Sequence, residues 1–309
     1  MRRSRGKEPY VLRMDSAQEL FGVHAELIES ALCPDERVLY LLYSPMFPAE
    51  KTPFGIHVRP ASHGVAVTED RFVISEDRHI EGNAPTVRSI PFDTILSVEL
   101  GNAILLGWFA IRCAEDKNVS CCALSFTNTG KHHFERAIRA YRATTGRAYR
   151  RSPNTGMDWT DVWMHTPRTQ VEAVKSLVIE GENPVGAIRS SELWGSQKRR
   201  WKRIPVCFTA DGIVISTNVG VIYSVDEPLA RPDIYSFGVN VSCIPFEAIR
   251  SVRIFEEKSL GIRIPSLRLH LRRAGVTAEV DIPFDGHDSQ AACSLACGLS
   301  LPLEHGSGC

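Results

Sequence analysis

Apolar residues recur at three- and four-residue spacing in four stretches of this chain, and elsewhere they come in short bursts. The first pattern lays an apolar stripe along a helix, and the second marks strands. Leu20, Val23, Leu27, Ile28 and Ala31 make the first stripe. Ser16 followed by Glu19 is a capping-box pair at its start, and Pro34 helps to stop it. His24 sits on its apolar face and reads as a hydrogen-bonded boundary residue. Val171, Val174 and Val178 make the second stripe, with Thr166 as cap and Pro167 at the first helical position. Phe134, Ala137, Ile138 and Tyr141 make the third, stopped near Gly146, and Ala292, Leu295, Ala296 and Leu299 the fourth.

Strands are expected at 37–43, 65–68, 72–75, 88–92, 95–100, 108–113 and 119–126. A second series is expected at 184–189, 206–209, 213–216, 241–246, 249–255, 267–271 and 277–284. Asp211-Gly212 is a turn signal that predicts a hairpin between 206–209 and 213–216. Pro91 and Pro245 cannot donate to a ladder, so they belong at a strand end, a bulge or an edge.

The two series are copies of each other. Residues 89–100 (SIPFDTILSVEL) and 243–254 (CIPFEAIRSVRI) agree at six of twelve positions. Residues 64–75 and 205–216 also agree at six of twelve, and Glu26, Ser30 and Glu36 match Glu172, Ser176 and Glu182. Such self-similarity decides the architecture before any other signal. The expected order is a basic disordered tail at 1–14, a first unit at 15–146, a linker at 147–164, a second unit at 165–301 and a tail at 302–309. Trp159 and Trp163, one helical turn apart, should dock on a unit.

The 309 residues suffice for two cores, and the formal net charge of zero argues against a broad attraction to nucleic acid. Arg2, Arg3, Arg5 and Lys7 precede no apolar stretch and are not a secretory signal. Nine cysteines without framework spacing fit reduced thiols in a cytoplasmic protein, with peripheral attachment to a membrane left open.

Short antiparallel strands closing in one helix, with Thr-x-Asp-x-x-Val-Ile followed by Ile-Pro-Phe-x-x-Ile-x-Ser-Val, resemble the bacterial pleckstrin-homology-like domains and the related GRAM domains. The residues are Thr68, Asp70, Val73, Ile74, Ile90, Pro91, Phe92, Ile95, Ser97 and Val98, then Thr209, Asp211, Val214, Ile215, Ile244, Pro245, Phe246, Ile249, Ser251 and Val252. The resemblance implies an α+β, mainly β fold of two such domains. Each would be a bent antiparallel sheet, a partly open barrel, closed by a C-terminal helix, with an extra N-terminal helix per copy. It implies binding of lipids, peptides or proteins and no catalytic residues.

Lys198, Arg199, Arg200, Trp201, Lys202 and Arg203 put five cations and an aromatic ring in six residues. The repeat places them between the first two strands of the second copy. The resemblance implies that this loop meets phosphates, and arginine forks suit phosphate oxygens. Either an anionic lipid or an acidic partner fits, and a solvated loop is the bland alternative. The equivalent loop of the first copy carries Met46, Phe47 and Phe54, which suit a protein partner or domain packing. Cys113, Cys121, Cys122, His132 and His133 cluster in sequence but lack zinc spacing, so no metal and no cofactor is expected. The expectation is a non-enzymatic binding or scaffold protein for a protein or anionic membrane partner. The alternatives are a small hydrolase or nucleotide-binding enzyme with a site between the domains, and self-assembly through sheet edges into a homo-oligomer.

Overall fold

The computed structural model describes residues 10–46, 61–78, 84–148, 157–190, 192–199, 202–226, 238–259, 262–284 and 288–300. The chain opens with β1 (Leu12–Arg13), a 3-10 turn (Ala17–Glu19) and α1 (His24–Ala31). Then come β2 (Tyr40–Ser44), β3 (Ser62–Val67), β4 (Arg71–Asp77) and β5 (Thr86–Pro91). A 3-10 turn (Phe92–Thr94) leads to β6 (Ile95–Ala103), β7 (Leu106–Glu115) and β8 (Asn118–Thr127). Another 3-10 turn (Asn128–Gly130) starts α2 (Lys131–Ala148). Helices α3 (Trp159–His165) and α4 (Arg168–Lys175) precede β9 (Pro184–Ser190), β10 (Leu193–Arg199) and β11 (Lys202–Thr209). Next are β12 (Gly212–Thr217), β13 (Gly220–Asp226) and β14 (Gly238–Pro245). A 3-10 turn (Phe246–Ala248), β15 (Ile249–Ser259), β16 (Ile262–Arg273), β17 (Val276–Pro283) and α5 (Ser289–Ser300) complete it.

The fold is mainly β, its sheets are antiparallel, and among the described residues none closes on itself. Both Ile-Pro-Phe segments end a strand at proline and turn through one 3-10 step, so the missing amide falls where no ladder needs it. Both following strands are bulged after their first residue, at Ile95/Ser97 and Ile249/Ser251. The repeated Ile-x-Ser-Val is therefore the sequence of a bulge.

The Asp211-Gly212 hairpin expected from sequence does not form. β11 pairs with β10, and β12 pairs with β9 and β13. An inserted hairpin has moved the equivalence. The counterpart of Thr68 is Thr217, not Thr209. Both threonine hydroxyls donate to the carbonyl of the third residue on, at 3.1 Å to Arg71 and 3.1 Å to Gly220. Both also accept that residue's amide at 3.2 Å. The first helix is shorter than expected, because Gly22 (φ 63°) separates the 3-10 turn from α1. Residues 11–14 belong to the fold and not to a tail: Val11 and Met14 are buried, and Leu12 and Arg13 pair with Tyr43 and Leu42.

The two halves share one sheet. β6 pairs with β14 from Ala103↔Gly238 to Val98↔Cys243, giving the order β8-β7-β6-β14-β13-β12-β9. One hydrophobic core runs with it. Phe72, Phe92, Phe109, Phe126, Phe134 and Tyr141 are continuous with Val174, Leu177, Ile213, Ile215 and Val241. A smaller core lies between the strands of the second half and α5. Trp159 and Trp163 stack at 4.8 Å and pack on the large core, and the Trp159 indole donates to Glu182 O at 2.8 Å.

Helix-to-sheet contacts repeat as well. His24 is 2% exposed, deeper than a boundary residue, with Nδ1 2.8 Å from Ser75 Oγ and Nε2 2.9 Å from Ser62 Oγ. In the second half Gln170 takes that place and donates to Asp211 O at 2.8 Å and Asp226 Oδ1 at 3.0 Å.

Candidate functional site

The predicted basic segment falls between β9 and β12, the first two strands of the second half once the inserted hairpin is set aside. It is the end of the β10–β11 hairpin, which pairs with no other strand among the described residues. The backbone register sets Lys198 opposite Arg203 and Arg199 opposite Lys202. Arg200 and Trp201 lie outside the described residues. Of the apolar loop, Met46 is half exposed, and Phe47 and Phe54 lie outside the described residues.

The register also shows what shares an end with this hairpin. Ser190↔Gly212↔Val225↔Asn240↔Gly101↔Trp108↔Ser125 is one continuous row across the seven-stranded sheet. The hairpin leaves between Ser190 and Gly212. The β6–β7 turn and the start of α2 leave from the same end of the sheet. Two carboxylates there are engaged: Asp211 pairs with Arg189 at 3.2 Å, and Asp226 accepts from Thr169 and Gln170. Burial pushes the Asp226 carboxyl above its ordinary range.

A second polar region lies inside the first half and was not singled out on the sequence. Rows Tyr40↔Val67↔Phe72↔Ile90 and Leu42↔Val65↔Ile74↔Arg88 give way to Ser44↔His63↔Glu76↔Thr86. α2 plugs the apolar end with Phe134, Ala137, Ile138 and Tyr141. At the polar end Arg78 bonds Glu76, and Arg88 bonds Glu115, Ser120 and Cys113 Sγ. His63 Nε2 is 3.9 Å from Glu76 Oε2, and among the described residues the buried Ser44 Oγ and His63 Nδ1 have no hydrogen-bond partner. His63 and Arg78 hold the Glu76 carboxyl down at about 2. A carboxylate that acidic is a poor general base near neutral pH. The cations here are matched by carboxylates, so the region offers no surplus charge to an anion.

The Cys/His cluster separates. Cys122 faces the core side, near Arg88, and Cys121 the other face, near Glu99 and Arg112. Burial raises the thiols of Cys113, Cys121 and Cys122, the last to about 12, which keeps them protonated and poor as ligands. His133 bonds Tyr40 Oη at 3.0 Å, and burial lowers its pKa to about 4. Among the described residues no group of three or more His, Cys, Asp or Glu could hold a metal, and no helix is long and apolar enough to cross a membrane.

No family model matches the chain, and no curated protein matches it.

Proposed function

We propose that the chain is a non-enzymatic binding protein of two pleckstrin-homology-like units, and that the β10–β11 hairpin docks it on an anionic membrane surface. The order of four strands, a 3-10 turn, three strands and a helix supports the domain reading, because it occurs in both halves once the inserted hairpin is set aside. The observation that carries the functional reading is a run of five cations in six residues, four of them on the paired strands of a hairpin that joins no other strand among the described residues. Near an anionic leaflet each Lys or Arg contributes about 1 kcal/mol, enough for reversible and salt-sensitive recruitment.

Co-sedimentation with phosphatidylserine-containing vesicles at low and high salt tests it. The parent chain sediments at low salt and is released at high salt, and a triple variant with Arg199, Arg200 and Lys202 changed to Ala stays in solution. Equal sedimentation of the two proteins, or none by the parent, removes the reading.

A further inference from the structure

We propose that Arg13, His132, His133 and Arg136, gathered around the hydroxyl of Tyr40, form a binding site for a phosphate-bearing anion. The site belongs to the first half, and the proposal does not rest on the membrane reading of the hairpin.

Three elements build it. Tyr40 on β2 is buried, with its Oη 3.0 Å from His133 Nδ1 on α2. The Arg13 guanidinium, from β1, lies over the same ring, 5.8 Å from its centroid. His132 donates from Nδ1 to Thr129 O at 3.1 Å, which holds its ring against that of His133 with the centroids 3.9 Å apart. Arg136 lies one helical turn beyond His133, and its charge and that of Arg13 act on both Tyr40 and His133. Arg13, His132 and Arg136 are exposed, so the cluster opens to water.

Its charges are not matched from within. Arg13 meets Asp15 at 3.8 Å, with both side chains exposed. Lys131 takes Glu135 at 3.5 Å, and among the described residues no carboxylate pairs with His132, His133 or Arg136. The first turn of α2 contains no acid. Basic groups at the start of a helix oppose its dipole, so the fold bears a cost here that an anion removes.

The repeat shows that the fold does not require the cluster. Thr68 and Thr217 are equivalent, which matches Val67 to Ser216 and so their cross-strand partners, Tyr40 to Gly186. In the second half α5 covers that place with Leu295, 3.8 Å from where a Cβ on Gly186 would lie. α5 has no charged residue. An apolar contact suffices there, and a phenol ringed by four basic side chains in its place is a departure of the kind that belongs to a site. Arginine forks pair with phosphate oxygens, and a tetrahedral dianion offers acceptors to donors arriving from β1 and α2 at once. A lipid headgroup and a free phosphate ester share that chemistry.

The test titrates the full chain with sodium phosphate, against sodium chloride at matched ionic strength, and follows the histidine ring resonances. Phosphate should shift the His132 and His133 signals saturably, and chloride should not. Arg13→Gln/Arg136→Gln alters two exposed side chains, so it should keep the fold and bind phosphate about tenfold or more weakly. Sulfate, whose charge is fixed over the range, reads the proton. Burial, then the charges of His132, Arg136 and Arg13, lower His133 from 6.5 to about 4, and a bound dianion raises it again. Sulfate should therefore bind more tightly as pH falls from 6.5 towards 4, with a flatter profile in His133→Gln, where only His132 of the pair still titrates. Vesicles separate the two sources. Loss of the double variant from phosphatidic acid vesicles, with phosphatidylserine vesicles treating it like the parent, assigns the site to a lipid phosphate. Equal sedimentation of the two proteins on both vesicles, with the soluble effect intact, assigns it to a free phosphate ester. Shifts that do not saturate, shifts matched by chloride, or undiminished phosphate binding by the double variant overturn the site.

Discussion

Glu36 and Glu182 occupy the same place in the two halves and are neutralised from different directions. Each accepts the amide of the residue three before it, Cys33 or Ile179, at 3.0 Å. Arg71, from the same half, bonds Glu36 and holds its carboxyl down at about 2. The position equivalent to Arg71 is Gly220, where a Cβ would lie 2.6 Å from Ile244 O. No side chain fits there, so the cation for Glu182 comes from the other half, as Arg142 on α2. Thr217 Oγ1 donates to the same carboxylate at 2.6 Å, and Arg142 also bonds Leu177 O. Arg142→Met should destabilise the protein by about 3–5 kcal/mol, because it strands a buried carboxylate. Arg142→Met/Glu182→Leu should recover most of that loss, and urea denaturation of the four proteins of the cycle gives the coupling. Acid should act in two steps. His133 has its pKa lowered from 6.5 to about 4, so the unfolded chain binds the extra proton and stability falls as pH drops from 6.5 to 4. Glu36 and Glu76, lowered from 4.5 to about 2, give stability that is full above 4.5 and lost towards 2. Buried Glu99 and Glu247, raised by desolvation, work in the opposite sense, so the comparison needed is with a variant. His133→Gln should flatten the urea midpoint between pH 6.5 and 4 and leave the lower limb in place.

At the level of elements, the repeat carried more local structure than periodicity did. The end of the strand at each Ile-Pro-Phe was legible because proline restricts the backbone itself, whereas the bulge after it emerged only from the strand register. β10 and β13 were missed, and Val206–Thr209 was given the wrong partner. The apolar bursts at 206–209 and 213–216 are alike in composition, and strand pairing depends on which edge each reaches, which composition does not encode. The polar row Ser44, His63 and Glu76 was hidden for a related reason: each residue is unremarkable until β2, β3 and β4 align. Close packing can be tested on β6. A Cβ on Gly101 would lie 2.0 Å from the ring of Trp108, which is fully buried. Gly101→Ala should therefore lower stability by about 1–3 kcal/mol, measured as a drop in urea midpoint, whereas Gly275→Ala, where no atom lies within 4 Å of the added Cβ, carries only the strain of φ 80°.

Across the whole molecule, the β6–β14 ladder and the shared core join the two halves. Heat or urea should unfold the chain in a single transition with coincident near- and far-ultraviolet circular dichroism, and two separated transitions would contradict this. Residues 10–148 made alone should expose the β6 edge and associate or aggregate. The same continuity brings the base of the β10–β11 hairpin and the β6–β7 turn to one end of the seven-stranded sheet, although they lie far apart in sequence.

What the sequence alone determined is local or repeated: two β-rich copies, proline-ended strands, amphipathic closing helices and a dense basic segment. These follow from backbone restriction and from side-chain period, which act over a few residues. Only the tertiary structure decided that one sheet joins the copies and that Arg142 crosses to Glu182. Those outcomes depend on hydrogen-bond partners and buried counter-charges distant along the chain, and no local pattern specifies a partner.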